Sequence, residues 1–152
     1  MVKILNVYKG SEVVASQEGD GRTSVTISNL KPDTTYTKGE FQVSWVENGR
    51  ESDKVDLPEF RTKAILVNNV TFSSESVSID VGNEDTVTAN IAPSTATNKK
   101  VKYVSDHPEI VTVDQNTGAI HGVSEGTAIV KAEAQDGSGK VAQLTVNVTP
   151  KA

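Results

Sequence analysis

The chain contains no cysteine. That one absence excludes a disulfide scaffold, thiolate zinc sites and thiol catalysis, so stability must come from packed cores. There is no long basic block and the formal net charge is -5, so the electrostatic footprint of a nucleic-acid binder is missing. No apolar run reaches the length of a signal peptide or a membrane span: Met1-Val-Lys-Ile-Leu-Asn-Val-Tyr-Lys9 passes directly into an alternating pattern. The expectation is a protein with no signal peptide and no membrane insertion, made and kept in the cytoplasm. No stretch shows a helical period.

What remains is an all-β chain. Apolar residues make up 36% and aromatics 5% of 152 residues, with many Val, Ile and Thr, which suit half-buried pleated surfaces. This length fits one domain or two small ones. Residues 1–63 carry nine Lys/Arg against ten Asp/Glu, and residues 64–152 carry six against ten. The acidity therefore lies mostly in the second half.

From Val2 to Tyr8 the apolar residues predict a strand, then a turn at Lys9-Gly10-Ser11 and a second strand near Val13 to Ser16. Glu18 to Gly21 reads as another turn, and Thr23 to Ser28 alternates again with Val25 and Ile27 on one face. Leu30-Lys-Pro-Asp-Thr-Thr-Tyr36 is a corner, because Pro32 cannot continue a strand. Phe41, Val43 and Trp45 then alternate. Asn48-Gly49 is a strong hairpin signal that should pair the Trp45 strand with one running through Asp53 to Thr62.

Leu30-x-Pro32-x-Thr34-x-Tyr36, followed by Phe41 to Val46 and Phe60-Arg-Thr62, resembles the second half of a fibronectin type III domain. The resemblance covers residues 2–62 and implies a tyrosine-corner contact by Tyr36. In this alignment Ile4 to Tyr8 corresponds to the family's third strand. The resemblance therefore implies a partial domain over residues 1–63 that lacks its first two strands, with part of one sheet uncovered and an edge unpaired. Such an edge is a template for pairing with another chain. Residues Arg61 to Asn68 form a junction without Pro or Gly, read as a restrained connection or a shared strand.

In the second half, Ile110 to Ala132 carries alternating apolar residues punctuated by Gly118, Gly122 and Gly126, and reads as three short strands joined by tight turns. Ile120 and Val123 supply apolar positions in the middle one. Upstream come Val70 to Phe72, Val77 to Ile79, Val87 to Pro93 and Lys100 to Asp106, and downstream Val141 to Val148. Val81-Gly82, Ile91-x-Pro93, Tyr103-x-Ser105-Asp106, Ile110 to Asp114 and Gly118-x-Ile120-x-Gly122 resemble the bacterial immunoglobulin-like group 2 domain over residues 67–149, within a domain spanning 64–152. Tyr103 stands where that family usually has Trp, and its hydroxyl needs a partner if buried. Pro150 to Ala152 should fray. The fold class expected is two immunoglobulin-like β-sandwiches.

No residue set reads as catalytic, cofactor-binding or metal-binding. Ser105-Asp106-His107 has the residue types of a hydrolase triad, but three adjacent loop residues cannot form the nucleophile-base-orienter chain; turn bonds from Ser105 and Asp106 to nearby amides explain them better. His107 and His121 lack chelating partners at suitable spacing, and His121 should face solvent. Asp114-Gln-Asn116-Thr-Gly118 with Glu125 at the twelfth place is similar to a calcium loop, yet Ala119 occupies the place that needs glycine. Trp45 and Tyr36 could stack on a sugar, although their positions favour burial. Lys99, Lys100 and Lys102 form a solvated basic cluster.

With no catalytic constellation, the reading is a non-enzymatic structural or binding module. Free-standing chains of these two families resemble bacteriophage virion proteins that decorate heads or tails. The expected partners are a phage capsid or tail protein, or copies of the chain itself, met through the unpaired N-terminal edge. The C-terminal domain would be displayed, with weak attachment to a bacterial surface glycan. The virion, assembled in the host cytoplasm, is the expected location. The alternatives are a fragment of a bacterial cell-surface adhesin or cell-wall protein, and an accessory domain of a carbohydrate-active enzyme.

Overall fold

A computed structural model describes residues 2–20 and 22–151. Two compact units divide the chain, Met1–Ala64 and Ile65–Ala152. No helix occurs among the described residues, and hence none long and apolar enough to cross a membrane.

The first unit is built on β1 (Lys3–Lys9), β2 (Glu12–Gly19), β3 (Thr35–Tyr36), β4 (Phe41–Glu47), β5 (Arg50–Glu51), β6 (Val55–Asp56) and β7 (Phe60–Arg61). Its main sheet runs β2-β1-β4-β5, with β6 also on β4, while β3 pairs with β7. Gly10 turns the first hairpin at φ 63, and Asn48 and Gly49 turn the second at φ 51 and 75, the double positive φ that matches strand twist. Leu5 faces Trp45, Val7 faces Val43 and Lys9 faces Phe41 across β1 and β4, so these pairs share one side of the sheet. On that side Val7, Tyr36 and Phe41 form the buried core, with Val25, Ile27, Leu30 and Phe60 packed around it.

Three expectations change here. Glu18 and Gly19 belong to β2 instead of a turn, and Gly21 lies outside the described residues. The Asp53–Thr62 strand is broken into β6 and β7 around Pro58, which cannot donate to a ladder. Most informative is Arg22–Ser28, where Thr23, Val25 and Ile27 alternate as the half-buried positions but no strand is assigned. Side-chain packing holds this segment extended, while the neighbouring strand that would give it a ladder is missing among the described residues.

The corner is tied as the resemblance implies. The Lys31 amide donates to the Tyr36 hydroxyl at 2.9 Å, and Asn29 and Asp33 adopt φ 61 and 48 to make the bend. Tyr36 is buried and stacks on Phe60 with centroids 5.2 Å apart. Tyr36→Phe should cost about 1–2 kcal/mol, because it strands a partly buried amide without removing packing. Chemical denaturation followed by tryptophan emission reads this unit, which holds the single Trp; an unchanged midpoint would contradict the tie.

The second unit contains β8 (Asn69–Phe72), β9 (Ser76–Asp80), β10 (Glu84–Thr86), β11 (Ala89–Ala92), β12 (Val101–Ser105), β13 (Val111–Val113), β14 (Ala119–Gly122), β15 (Gly126–Ala134) and β16 (Val141–Thr149). One sheet runs β12-β15-β16-β9, and β11-β8 and β10-β14-β13 form the other layer. β9 lies parallel to β16, from Ser76 opposite Thr145 to Asp80 opposite Thr149. Between the layers, Val111, Ile120, Val130, Leu144 and Val146 are almost wholly buried. Alternation along β15 and β16 sends every second side chain into this core.

The glycine-punctuated run forms β13, β14 and part of β15, but not one meander. β14 pairs with β13 and β10, whereas β15 pairs with β12 and β16. The chain changes sheets at Val123–Glu125, which leaves Val123 42% exposed instead of inward. Gly118 has φ 74, and a Cβ there would lie 2.2 Å from the Val87 carbonyl oxygen. Gly122 differs: its φ is unremarkable, and close approach of the Asp80 carbonyl, 2.8 Å from a Cβ, is what demands glycine. Of the Val87–Pro93 strand expected from the pattern, Ala89–Ala92 forms β11, and the separate short strand β10 precedes it at Glu84–Thr86. Tyr103 is 5% exposed, and its hydroxyl accepts the Ala89 amide at 3.0 Å.

No strand spans the junction. The Lys63 carbonyl accepts the Asp33 amide in the first unit, and Ile65 bonds Thr97 in the second.

Candidate functional site

Residues of catalytic type in the second unit are committed to structural bonds, Ser105 to a turn amide as expected and Asp106 to an amide of β15 instead of a turn. The Asp106 carboxylate accepts the Ile129 amide at 2.7 Å, and Ser105 Oγ accepts the His107 amide at 3.3 Å. His107 Nδ1 lies 2.8 Å from Glu109, so it faces a carboxylate other than Asp106 and no hydroxyl. Its pKa is raised, first by that Glu109 bond and then by the negative field of Asp106. A group raised in the fold adds stability below its unfolded pKa and loses it as pH rises through the folded value. In an NMR titration His107 should therefore titrate above the usual 6.5 or so, and Glu109→Gln should bring it down. An identical midpoint in both proteins would contradict the pairing.

Asp114 Oδ1 accepts the Asn116 and Thr117 amides at 2.9 and 2.8 Å and the Thr117 hydroxyl at 2.9 Å. These bonds hold its pKa low, with the Thr117 amide foremost, and give the calcium-like stretch a hairpin role. His121 on β14 faces Glu84 at 3.9 Å, and its Nδ1 is buried without a hydrogen bond; the side chain is 44% exposed. Among the described residues no group of three His, Cys, Asp or Glu could hold a metal ion. Lys99, Lys100 and Lys102 are all exposed.

The first unit presents two surfaces. One is the β2 edge. Among the described residues β2 pairs only with β1, leaving eight residues, about 26 Å of strand, with one row of backbone groups unpaired. Val13 and Val14 are 47% and 37% exposed there. Beside this edge lies a groove of about 390 Å³ in which Val13, Val14, Ile27, Leu30, Tyr36 and Phe41 alternate with polar walls from Lys9, Glu12 and Lys31 among others. A free edge next to a partly apolar groove can add a strand, the backbone bonding the edge and alternate side chains entering the groove.

The other surface surrounds Trp45. The ring was expected in the core with Tyr36, and only Tyr36 is there. Trp45 shares the sheet side of Phe41 and Val43 but lies further along β4, outside the core cluster and half-buried. It lines an open pocket of about 630 Å³ with Lys3, Glu47, Asn48, Arg50, Glu51 and Ser52.

The opposite side of the same sheet carries a polar network that alternation alone did not disclose. Tyr8 and Ser44, 7% and 2% exposed, both donate to Glu51 Oε1. Ser16 Oγ donates to Asn6 Oδ1 at 2.8 Å, and the Lys54 ammonium lies 3.6 Å from the Tyr8 ring centroid. The Ser44 and Tyr8 hydroxyls hold the Glu51 pKa down. The only available signal was the positions of Asn6, Tyr8 and Ser44 on the side of β1 and β4 opposite Val7 and Val43.

The family model for the bacterial Ig-like domain (group 2) matches residues 66–146, more than half of the chain. The chain belongs to the bacterial Ig-like group 2 family. Its relatives place this Ig-like domain in varied company. An Ig-like virion protein of Serratia phage KSP90 is 38% identical over 74 residues, 49% of this chain and 29% of that protein. An A type blood N-acetyl-alpha-D-galactosamine deacetylase of Flavonifractor plautii is 28% identical over 156 residues, 89% of this chain and 20% of the enzyme. The chain thus spans less than a third of either relative's length. Among solved structures, domains 4 and 5 of the S-layer protein SbsC align with TM-score 0.53 and 14% identity, over 95% of this chain and 97% of that one. Drosophila N-cadherin EC1-4 aligns with TM-score 0.58 and 16% identity, over 99% and 41%. These likenesses establish an all-β immunoglobulin-like fold, and with the family match they make this a structural Ig-like protein.

Proposed function

We propose that this chain is a non-enzymatic decoration protein of a bacteriophage virion. The first unit docks on a capsid or tail protein through β2, and the Ig-like group 2 unit is displayed, where it assists weak attachment to the host surface. The observation that carries the reading is the 38% identity to a phage Ig-like virion protein. The mode of docking rests on the unpaired β2 edge and the partly apolar groove beside it. The residues of catalytic type support the non-enzymatic part, because their polar atoms already bond strand and turn amides and neighbouring side chains.

Fractionation tests the location. The chain should co-purify with phage particles through a density gradient and be marked on them by specific antibody. Recovery only from the cell-wall fraction would instead select a bacterial surface protein. The double variant Val13→Lys, Val14→Lys changes exposed edge residues only, and charged edges resist strand addition. It should keep its fold and lose particle binding at least tenfold; equal binding would remove β2 as the docking edge.

A further inference from the structure

The pocket beside Trp45, which reaches round the end of the sheet to Glu51, has an unusual composition. Trp45 is the one apolar residue among its seven lining residues, and Lys3, Glu47, Asn48, Arg50, Glu51 and Ser52 form the rest. A peptide's apolar side chain would find a single ring and otherwise polar or charged walls, so most of its surface would gain nothing on burial. A pyranose fits the opposite requirement: its C–H face covers an aromatic ring, and its hydroxyls need polar partners all round. The volume of about 630 Å³ lies in the usual range for small-ligand sites.

The site is held on regular backbone. Trp45 sits in β4 opposite Leu5 of β1. Its amide donates to Ser52 Oγ at 3.0 Å and its carbonyl accepts the Ser52 amide at 2.8 Å. Asn48 and Gly49 turn the chain tightly between β4 and β5, which places Arg50 directly opposite Glu47.

The charges differ in what they have left to offer. Lys3 and Glu47 pair at 3.4 Å and are 38% and 39% exposed, so each keeps hydrogen-bonding capacity toward a ligand. Glu51 Oε1 already accepts from Tyr8 and Ser44. Arg50 is exposed, and its side chain makes no ion pair or hydrogen bond among the described residues. Its planar fork suits a carboxylate.

We propose that Trp45, Arg50 and the Lys3–Glu47 pair form a binding site for a carboxylated sugar, a uronic-acid residue of a polysaccharide. The pyranose stacks on the Trp45 ring, its carboxylate pairs with Arg50, and its hydroxyls meet Lys3 and Glu47. The site is independent of virion location: Trp45 and Glu47 lie on β4, Arg50 on β5 and Lys3 on β1, which pairs with β2 through the edge opposite to the unpaired one.

The chain has one tryptophan, so its emission reports this pocket alone. Titrating the full chain with digalacturonic acid should give a saturable emission change with a Kd on the order of 1 mM, the weak range expected for an open site. Galactobiose, which lacks the carboxylates, should bind at least tenfold more weakly. Arg50→Gln should weaken digalacturonate tenfold while leaving galactobiose unchanged, and Arg50→Lys should restore part of the loss. Thermal melting of each variant shows whether the fold is retained. Tetraglutamate brings carboxylates without a pyranose and should produce no saturation. Absence of saturation by digalacturonate, equal binding by Arg50→Gln, or preference for tetraglutamate would each overturn the proposal. None of these results bears on particle binding, so the virion reading is tested separately.

Discussion

Gly118→Val is expected to lower the melting temperature of the second unit by about 15 °C or more. Two independent penalties meet at this residue. Its φ of 74 is a conformation that a β-branched residue rarely adopts, which costs about 1–3 kcal/mol. The added Cβ also meets the Val87 carbonyl oxygen at 2.2 Å and the Tyr103 ring at 3.1 Å, and backbone cannot yield as a flexible side chain can. The same turn is held by the Val87 amide donating to the Gly118 carbonyl at 2.9 Å, so relieving the clash disturbs that bond. Overpacking adds about 1–3 kcal/mol, and each kcal/mol lowers the melting temperature of a domain this size by roughly 4–8 °C. Gly82→Ala is the control that separates the penalties. Gly82 has φ 82 but open space around a Cβ, so it pays strain alone and should lose only about 1 kcal/mol. Equal losses in the two variants would show that the clash has no weight.

Phe41→Ala should unfold the first unit near room temperature while the second stays folded. The first unit's core has three buried members, Val7, Tyr36 and Phe41, against fifteen in the second. Phe41 packs on Tyr36 and Phe60 with ring centroids 5.4 and 5.9 Å away, so its removal opens the middle of that cluster. A Phe→Ala change in a core costs about 3–5 kcal/mol. A single core in a unit of about 64 residues supplies little more than that. Tryptophan emission should move to that of an exposed indole, while the circular-dichroism melt of the second unit persists. Retained native emission would contradict so small a core.

The second unit was legible because its signals are local. Gly118 turns the chain at positive φ, and alternation along residues 126–134 and 141–149 sends the apolar side inward. The Tyr36 corner was legible for the same reason, since Tyr36 and Lys31 are five residues apart. What stayed hidden depends on distant partners. The parallel pairing of β9 with β16 joins residues 69 apart. The Asp136 carboxylate accepts the Val67 amide across the same separation, and with the Ser138 side chain this holds the Asp136 pKa down.

Thr23 to Ser28 carries a strand pattern without forming a strand, because a ladder needs a neighbour and a pattern cannot reveal one is missing. Trp45 failed for a related reason. Its period matches Phe41 and Val43, but period tells which side of a sheet a residue takes, not whether anything covers that side. Both misreadings fall in the first unit, where the sheet is incompletely covered, and both of its candidate surfaces arise there. The second unit, with the larger buried core, holds the family match; the sparsely covered first unit holds the two surfaces proposed for binding.

Amide hydrogen exchange on the chain free and bound to phage particles tests that division most directly. Strand addition at β2 predicts slowed exchange on binding at amides within Glu12–Gly19, with the core strands of the second unit, β15 and β16, unchanged. Protection confined to residues 65–152, with Glu12–Gly19 exchanging as in the free chain, would contradict it.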